Sequence, residues 1–562
     1  MRAMPSSDNS QTAASNPNGA VSNSGATAQK PFTPSRRTVL RAGATGAAAG
    51  AIGLATATNA AANVESQPQS PANTGESGGF QVFQHSVASG DPLPDGVVLW
   101  TRLAVDPTAR GGGMCGESVR VDWELATDAS MRRVIRRGSA VADERGGHAV
   151  HIDVRGLEPA ADYFYRFRAL GDMSPIGRTR TAPASHARTG LLTVAVASCQ
   201  NWAEGFYVAH RDLARRAPDV VLHLGDYIYE TPIVTAGPRR HLPRPRSTTR
   251  EARSLHDYRD RYALYHSDPD LQAAHQLSPF IVAFDDHEVD NNWAGPVPED
   301  GTPAAQFRLR RAAALRAWWE NTPTRRSARP RGVDLRAYRR FTFGDLAEFH
   351  LLDTRSHRSD QVNGDNDTAQ NVHTADPTRT MLGATQERWL LDGLARRRSR
   401  WNVIAQQIPM ADLARLDGTT RAVSMDGWSG YEPARARVLD GAHERGVGNL
   451  VSLAGDIHRT VVADLRSNYR HQSPVLGVEL AGTSITSGGN GANSDLDDAR
   501  LKEASPHVRF GNAQRGYLLN RIRPGHWETE IRVTDSVTDP AATLYRHSLI
   551  TVPAARAEID VV

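Results

Sequence analysis

Two cysteines, Cys115 and Cys199, in a chain of 562 residues leave no disulfide framework to hold it together. The two could pair with each other in an oxidising compartment, but spacing alone does not show that their backbones approach. An excess of one charge is missing as well. Lys and Arg number 66 against 62 Asp and Glu, a formal net charge of +4. The basic residues are mostly arginine and are dispersed, which excludes a dedicated nucleic-acid stripe. Short clusters such as Arg396, Arg397 and Arg398 read as solvated helix faces. Beyond the N-terminal region no stretch approaches the ~20 continuous apolar residues of a membrane span, so no transmembrane segment is expected in the mature protein. What is left is a chain long enough to bury a large core and to divide into domains.

The N-terminal region differs in kind from the rest. Residues 1–34 are rich in Ser, Asn, Ala and Pro without apolar periodicity, the composition of a segment that does not fold. "SRRTVLRAG" (Ser35 to Gly43) follows, and then a mildly apolar Ala/Gly stretch. Twin arginines before such a stretch resemble a twin-arginine export signal, with small-residue cleavage patterns at Ala55-x-Ala57 and Ala60-x-Ala62. Residues 1–62 are therefore read as a signal region with a disordered extension, and 63–79 as a linker. The partner implied is the twin-arginine machinery, and the destination is the periplasm, the cell envelope or the exterior. That route carries folded proteins, so a cofactor can be loaded before export.

From residue 80 to 184, "DGVVLWTRL", "SVRVDWELATD", "AVHIDVRGL" and "DYFYRFRAL" read as short strands between turns, with no helical stretch among them. The expectation is a small β-sandwich of the immunoglobulin or fibronectin kind, with no titratable cluster of its own. From 188 to 550 the pattern changes. "LLTVAVASCQ", "DVVLHLGD", "PFIVAFDD", "AEFHLLDTR", "WNVIAQQ" and "GNLVSLAGDIH" are apolar strands, most with polar ends, separated by helical stretches that include "AAQFRLRRAAALRAWWENTP". Continuous apolar strands alternating with helices predict an α/β domain with layers around a buried sheet. Ligands in such folds sit beyond the carboxyl ends of the strands.

Four of those polar ends carry chemistry. "VASCQNW" supplies Cys199, and "LGDYIYE" supplies Asp226 with Tyr229 three residues on. "FDDHEVDNNW" packs Asp285, Asp286, His287, Glu288, Asp290, Asn291 and Asn292 together, and "LAGDIHRT" supplies Asp456 and His458. Each segment alone is commonplace: a strand-ending Gly-Asp, an acidic surface turn, a hydrogen-bonded Asp–His couple. Together they would bury many carboxylates without partners, at prohibitive cost unless a polyvalent cation joins them. Aspartate can bridge two metals, while His, Asn, thiolate and phenolate serve as terminal ligands.

As an ordered set these segments resemble the metallophosphoesterase superfamily, and within it the PhoD-type alkaline phosphatases. "DDHE" stands where the superfamily has Asn-His-Glu, and "GDIH" where it has Gly-His-x-His, departures that match the PhoD branch. "VASGDPLPDGVVLWTRL", "SPIGRTRTAP" and "YRDRYALYHSDPDLQAAH" extend the likeness over most of residues 80–540. The resemblance implies an iron(III)–calcium cofactor. Cys199, Asp226, Tyr229 and Asp456 would surround the iron, with Asp226 able to bridge. Asn292 (or Asn291), Asp286 and His458 would complete the calcium side or touch phosphate. His287 would face the substrate, His287 or His458 would assist the leaving oxygen, and Arg261, with Arg259 as runner-up, would bind phosphate. The implied activity is release of phosphate from monoesters, and perhaps diesters, by metal-activated oxygen attacking phosphorus. The alternatives are a phosphodiesterase or phospholipase D-type hydrolase using the same site, and an inactive exported binding protein. No serine nucleophile is indicated, since nothing places a base beside Ser198.

Overall fold

The computed structural model describes residues 81–562, except 115, 117, 234–236, 240, 397, 472, 494 and 495. The predicted signal region at 1–62, the linker at 63–79 and Cys115 lie outside the described residues.

Strand Leu192–Ala197 shows why its sequence is apolar throughout. Val194 and Val196 join a cluster that includes Phe349, Val403 and Leu453, whereas Ala195 and Ala197 join one that includes Leu213, Leu264 and Trp318. Side chains alternate across a strand, so both faces of this one are buried. Val220–His223 and Phe280–Val282 lie in the same sheet, with Val221, Phe280 and Val282 on the helix side and Val220, Leu222 and Ile281 on the other. These three strands are parallel, at the centre of a ten-stranded sheet.

A second, seven-stranded sheet faces it across the shared apolar layer. Its parallel strands Ala347–Leu351, Trp401–Ala405, Leu450–Ala454 and Gly477–Ala481 send Phe349, Val403, Leu453 and Leu480 inward. Ile404, Ala454 and Ala481 point to an outer layer carrying Leu390 and Val438 of the helices Gly383–Leu394 and Glu432–Glu444. The order is thus helices, sheet, sheet, helices, an α/β layering as expected.

Local chemistry sets the helices on the site side. Ser254 caps Leu255–His266 in a capping box with Asp257, and Asp268 caps Pro269–Leu277, which begins on proline. Helix Ala304–Glu320 ends at Asn321, just before Pro323.

The N-terminal strands divide between two sheets. Val87–Leu93, Gly96–Arg102 and Ala149–Arg155 extend the ten-stranded sheet, joined to it by parallel pairing of Gly90 with Phe280. A Cβ at position 90 would lie 2.4 Å from the Phe280 carbonyl oxygen, so that joint requires glycine. Val119–Ala126, Val134–Ala142 and Asp162–Ala169 lie in a separate five-stranded sheet, and both sheets feed one apolar cluster containing Val87, Leu99, Val121 and Phe167. Hydrogen bonding therefore crosses the boundary expected near residues 184–188, and the described residues belong to one compact unit. The C-terminal strands Tyr545–Pro553 and Asp560–Val561 close the far edge of the ten-stranded sheet.

Candidate metal centre

Just beyond their carboxyl ends, the three central strands of the ten-stranded sheet carry Cys199, Asp226 and the run Asp285–His287. Leu450–Ala454 of the facing sheet delivers Asp456 and His458. The chain turns sharply at these points. Cys199 (φ 57°), Asp226 (52°), Asn292 (48°), Asp456 (70°) and His458 (54°) all occupy the left-handed region. Each such non-glycine residue costs on the order of 1–3 kcal/mol, and strain of this kind gathers at functional sites. Gly225 (φ 112°) lets two of the turns meet, because a Cβ there would lie 2.4 Å from that of Asp285.

Candidate donor atoms form three overlapping groups, each with all atoms within 4.8 Å of one another: Cys199, Asp226 and His458; Asp226, Asp286 and His287; Asp285, Asp286 and Asp456. Asp226 and Asp286 each belong to two of them. Tyr229 donates from Oη to Asp226 Oδ2 at 2.7 Å, and the same oxygen lies 3.2 Å from His458 Nε2. Asn292 donates its backbone N–H to Asp286 Oδ2 at 3.0 Å and its side-chain amide to Asp365 Oδ2 at 2.6 Å. Asn291 instead engages Glu299 and Glu230, which favours Asn292 as the asparagine of the cluster.

The electrostatics call for a cation. Burial pushes the Asp226 carboxyl well above its usual range, with Asp286 and Asp285 adding to the effect against His287. Asp456 is raised by burial and by Asp285, the Cys199 thiol by burial and by Asp226, and the Tyr229 phenol likewise. Asp286 alone is held low, the charges of Arg355 and His287 outweighing its burial. Burial lowers His287, but Glu230, Asp286 and Asp226 outweigh it and raise the imidazole well above its usual value. His458 is pushed down to about 3 by burial and Arg515. Asp226 Oδ1 and Asp286 Oδ1 are buried without a hydrogen-bond partner. Orphaned carboxylate oxygens beside a buried thiol and a phenol fit metal ions.

The grouping departs from expectation in two places. His458, expected on the calcium side, stands with Cys199 and Asp226, whereas Asp456, expected near the iron, stands with Asp285 and Asp286. Arg261 requires a larger correction. It is 1% exposed and donates from Nη2 to the Glu230 and Arg250 carbonyls at 3.2 and 2.6 Å, so it braces the loop behind the centre. Arg259 is bound to Glu320 at 2.7 Å and to backbone carbonyls of Glu144 and Arg145. Neither guanidinium meets the carboxylate cluster. Cys199 is a free, buried thiol.

Sequence reasoning passed over two residues that build the centre, Arg355 and Ser487, and gave a third, Glu288, no role of its own. Arg355, wholly buried, pairs with Asp285, with Asp426 at 2.9 Å, with Asp456 at 3.3 Å and with Asp286 at 3.5 Å. It follows strand Ala347–Leu351 in "HLLDTR", a polar strand end like the four chosen. Glu288 accepts the backbone N–H groups of Asp226, Tyr227 and Asp285, fixing two turns to each other. Ser487 donates to the Cys199 carbonyl at 2.7 Å and lies 2.6 Å from Tyr229 Oη. It comes from a Gly/Ser-rich loop with no strand signal of its own.

Overlapping donor groups at the carboxyl ends of two facing sheets define a metal-dependent enzyme, and the relatives identify its reaction class as phosphoric ester hydrolysis. A family model described as PhoD-like phosphatase matches residues 194–531, and one described as PhoD-like phosphatase, N-terminal domain, matches 68–183. Alkaline phosphatase D of Bacillus subtilis (strain 168) is 42% identical over 467 residues, 82% of this chain and 79% of that protein. A solved structure titled "Structure of PhoD" matches with a TM-score of 0.82 at 40% identity, over 87% of this chain and 93% of that one. The chain belongs to the PhoD-like phosphatase family. Among the described residues no helix is long and apolar enough to cross a membrane.

Proposed function

We propose that the chain is an exported alkaline phosphatase that hydrolyses phosphate monoesters to an alcohol and inorganic phosphate at an iron(III)–calcium centre. The observation that carries this reading is the pair Asp226 and Asp286, buried carboxylates each shared by two donor groups and each with one oxygen lacking a hydrogen-bond partner. Asp226, which also accepts from Tyr229 and stands with Cys199, would be the carboxylate shared between two ions. Cys199, Asp226 and Tyr229, with His458 beside them, offer the thiolate, carboxylate and phenolate that suit a ferric ion. Asp286, Asn292 and Asp456 offer the oxygens that suit calcium. When bound, the ions supply Lewis acidity that generates a nucleophile from water and neutralises charge on the phosphoryl oxygens.

The protein's own residues orient and protonate. Glu230 Oε2 lies 2.8 Å from His287 Nδ1, which fixes the ring and leaves Nε2 to give a proton to the departing alkoxide. The His287 side chain is 16% exposed against 3% for Glu230, so the histidine is the partner open to a substrate. Arg355, surrounded by aspartates, balances their charge and has no face left for phosphate.

Arg36 and Arg37, with the mildly apolar stretch after them, support export through the twin-arginine machinery to the envelope or exterior. Elemental analysis of protein exported by its own host should find iron and calcium, and hydrolysis of an aryl phosphate should exceed that of the corresponding diester. Full activity without either metal would sink the cofactor reading, and a reversed preference would make the enzyme a phosphodiesterase.

A further inference from the structure

We infer that the cleft between the N-terminal strands and helix Ala304–Glu320 is a second ligand-binding site, built for a phosphorylated organic anion that carries a planar ring. The cleft encloses about 720 Å³, and none of the candidate metal ligands lines it. One wall comes from Trp123 and the strands Val134–Ala142 and Ala149–Arg155. The other comes from the end of the helix and the segment reaching Arg329.

The charge balance on its walls is uneven. Glu320 is held by Arg259 at 2.7 Å and by Arg316 at 2.8 Å, and Asp153 by Arg325 and by Arg155 at 2.8 Å. Asp143 Oδ1 accepts the Gly146 N–H at 2.7 Å. Arg145, Arg326 and Arg329 also line the cleft, are exposed, and have no carboxylate partner among the described residues. Set against Asp143, the lining carboxylate whose printed partner is only a backbone N–H, three such arginines leave an excess of positive charge that favours an anion, and guanidinium forks suit phosphate oxygens in particular.

The ring requirement comes from the aromatic residues between those arginines. Trp319 stacks on His151 with centroids 4.2 Å apart and planes 11° from parallel, and the Arg329 guanidinium lies 5.0 Å from its ring. The Trp123 ring lies flat against the backbone at Gly138, where a Cβ would come within 2.9 Å of it. Held there, Trp123 is half-buried and presents its remaining surface to the cleft. The half-buried Trp123 indole beside exposed guanidiniums offers a surface for a ring and donors for a phosphate together. Free inorganic phosphate shares only the second half of that chemistry.

The inference does not rest on the metal-centre reading, and its test uses the full-length, metal-loaded enzyme. The probe is the methylene phosphonate analogue of adenosine monophosphate, which has no ester bond to cleave. Equilibrium dialysis should find one molecule per chain at the cleft, in addition to any held at the metal centre. Arg326→Glu combined with Arg329→Glu, and separately Trp123→Ala, should weaken one site at least about tenfold and leave turnover of a small aryl phosphate unchanged. Probe binding that neither variant weakens overturns the site, whatever the count at the metal centre. If methylphosphonate, which has no ring, fills the second site as tightly as the nucleoside probe, the ring requirement is overturned. Absence of any ester hydrolysis would count against the proposed catalytic function and leave the binding stoichiometry readable.

Discussion

The strand ends that carry Asp226, Asp286 and Asp456 and the cluster of His85, His210, His223, His266 and His275 on the helix side of the same sheet both withdraw titratable groups from water. Both also contain orphaned polar atoms: Asp226 Oδ1 and Asp286 Oδ1 in the first, and both ring nitrogens of His85 and His223 in the second. There the likeness ends. Burial lowers all five histidines, His210 to about 3 and His266 to about 4, so they are neutral and need no counter-ion. They pack as aromatic rings, His266 on Trp100 at 4.8 Å and His275 on Phe280 at 3.9 Å. None has a positive φ, whereas Cys199, Asp226, Asn292, Asp456 and His458 all do. Burial of a titratable group is therefore no mark of a site by itself. Carboxylates that cannot all shed their charge, held on strained backbone, are.

Substitution should separate the two regions most sharply at Asp226. Asp226→Asn should lower phosphate-ester turnover by more than about a hundredfold, the upper range for loss of an outer partner of a metal ligand. Bound metal should fall with it. In metal-free protein the same change should raise the melting temperature, because it removes a carboxylate whose burial is unfavourable. His266→Gln should leave metal content where it was, and loss of metal from that variant would erase the distinction. Next in size is Arg355→Met, which strands Asp285, Asp286, Asp426 and Asp456 without their shared cation. Breaking a buried pair in this way costs about 3–5 kcal/mol, to be read from urea unfolding. An unchanged midpoint would mean that the aspartates are neutralised by something else.

How much of this was legible in the chain follows from the same contrast. The ligand candidates stood out because strand periodicity broke into carboxylates at three places and into a cysteine at a fourth, and the α/β layering followed from apolar runs that need cover on both faces. Arg355 stood in an equally visible strand end, yet a lone arginine in "HLLDTR" gives no sign that four aspartates from other segments converge on it. Arg261 was chosen from its motif, and its role was hidden because the carbonyls of Glu230 and Arg250 that occupy it lie on distant turns. The histidine cluster left no trace either, since single histidines scattered from position 85 to 275 meet only through tertiary packing. The sheet shared with the N-terminal strands depends on one glycine joint at Gly90, a contact no local pattern encodes.

Acid should probe the histidine side of the comparison. A histidine whose folded pKa is depressed gives its full stabilisation above its unfolded value near 6.5, and loses it as pH falls toward the folded value. Between pH 7 and 5 that loss is about 2 kcal/mol for each such histidine. His223→Leu removes one that has no hydrogen-bond partner on either nitrogen, and should flatten the pH dependence of the unfolding free energy by about that amount. Identical slopes in the two proteins would show that His223 titrates alike folded and unfolded.

The smallest effect sharpens the metal side. Ser487 holds the Cys199 carbonyl and lies 2.6 Å from Tyr229 Oη, so it ties a strand end to the phenol. Ser487→Ala should cost only about 1 kcal/mol of stability, the ordinary value of a hydrogen bond. Its spectroscopic consequence is more telling. If Tyr229 binds a ferric ion as proposed, the one Ser487 proton turns from the Cys199 carbonyl to the nearby phenolate, which therefore loses a hydrogen-bond donor in this variant and becomes easier to oxidise. Its charge-transfer absorption should then move to longer wavelength, while Tyr229→Phe should abolish the band. A band that survives Tyr229→Phe and ignores Ser487→Ala would assign the colour to another ligand. Tyr229 would then be a hydrogen-bonded neighbour of Asp226, and the boundary between ligating and packing phenols would have to be redrawn.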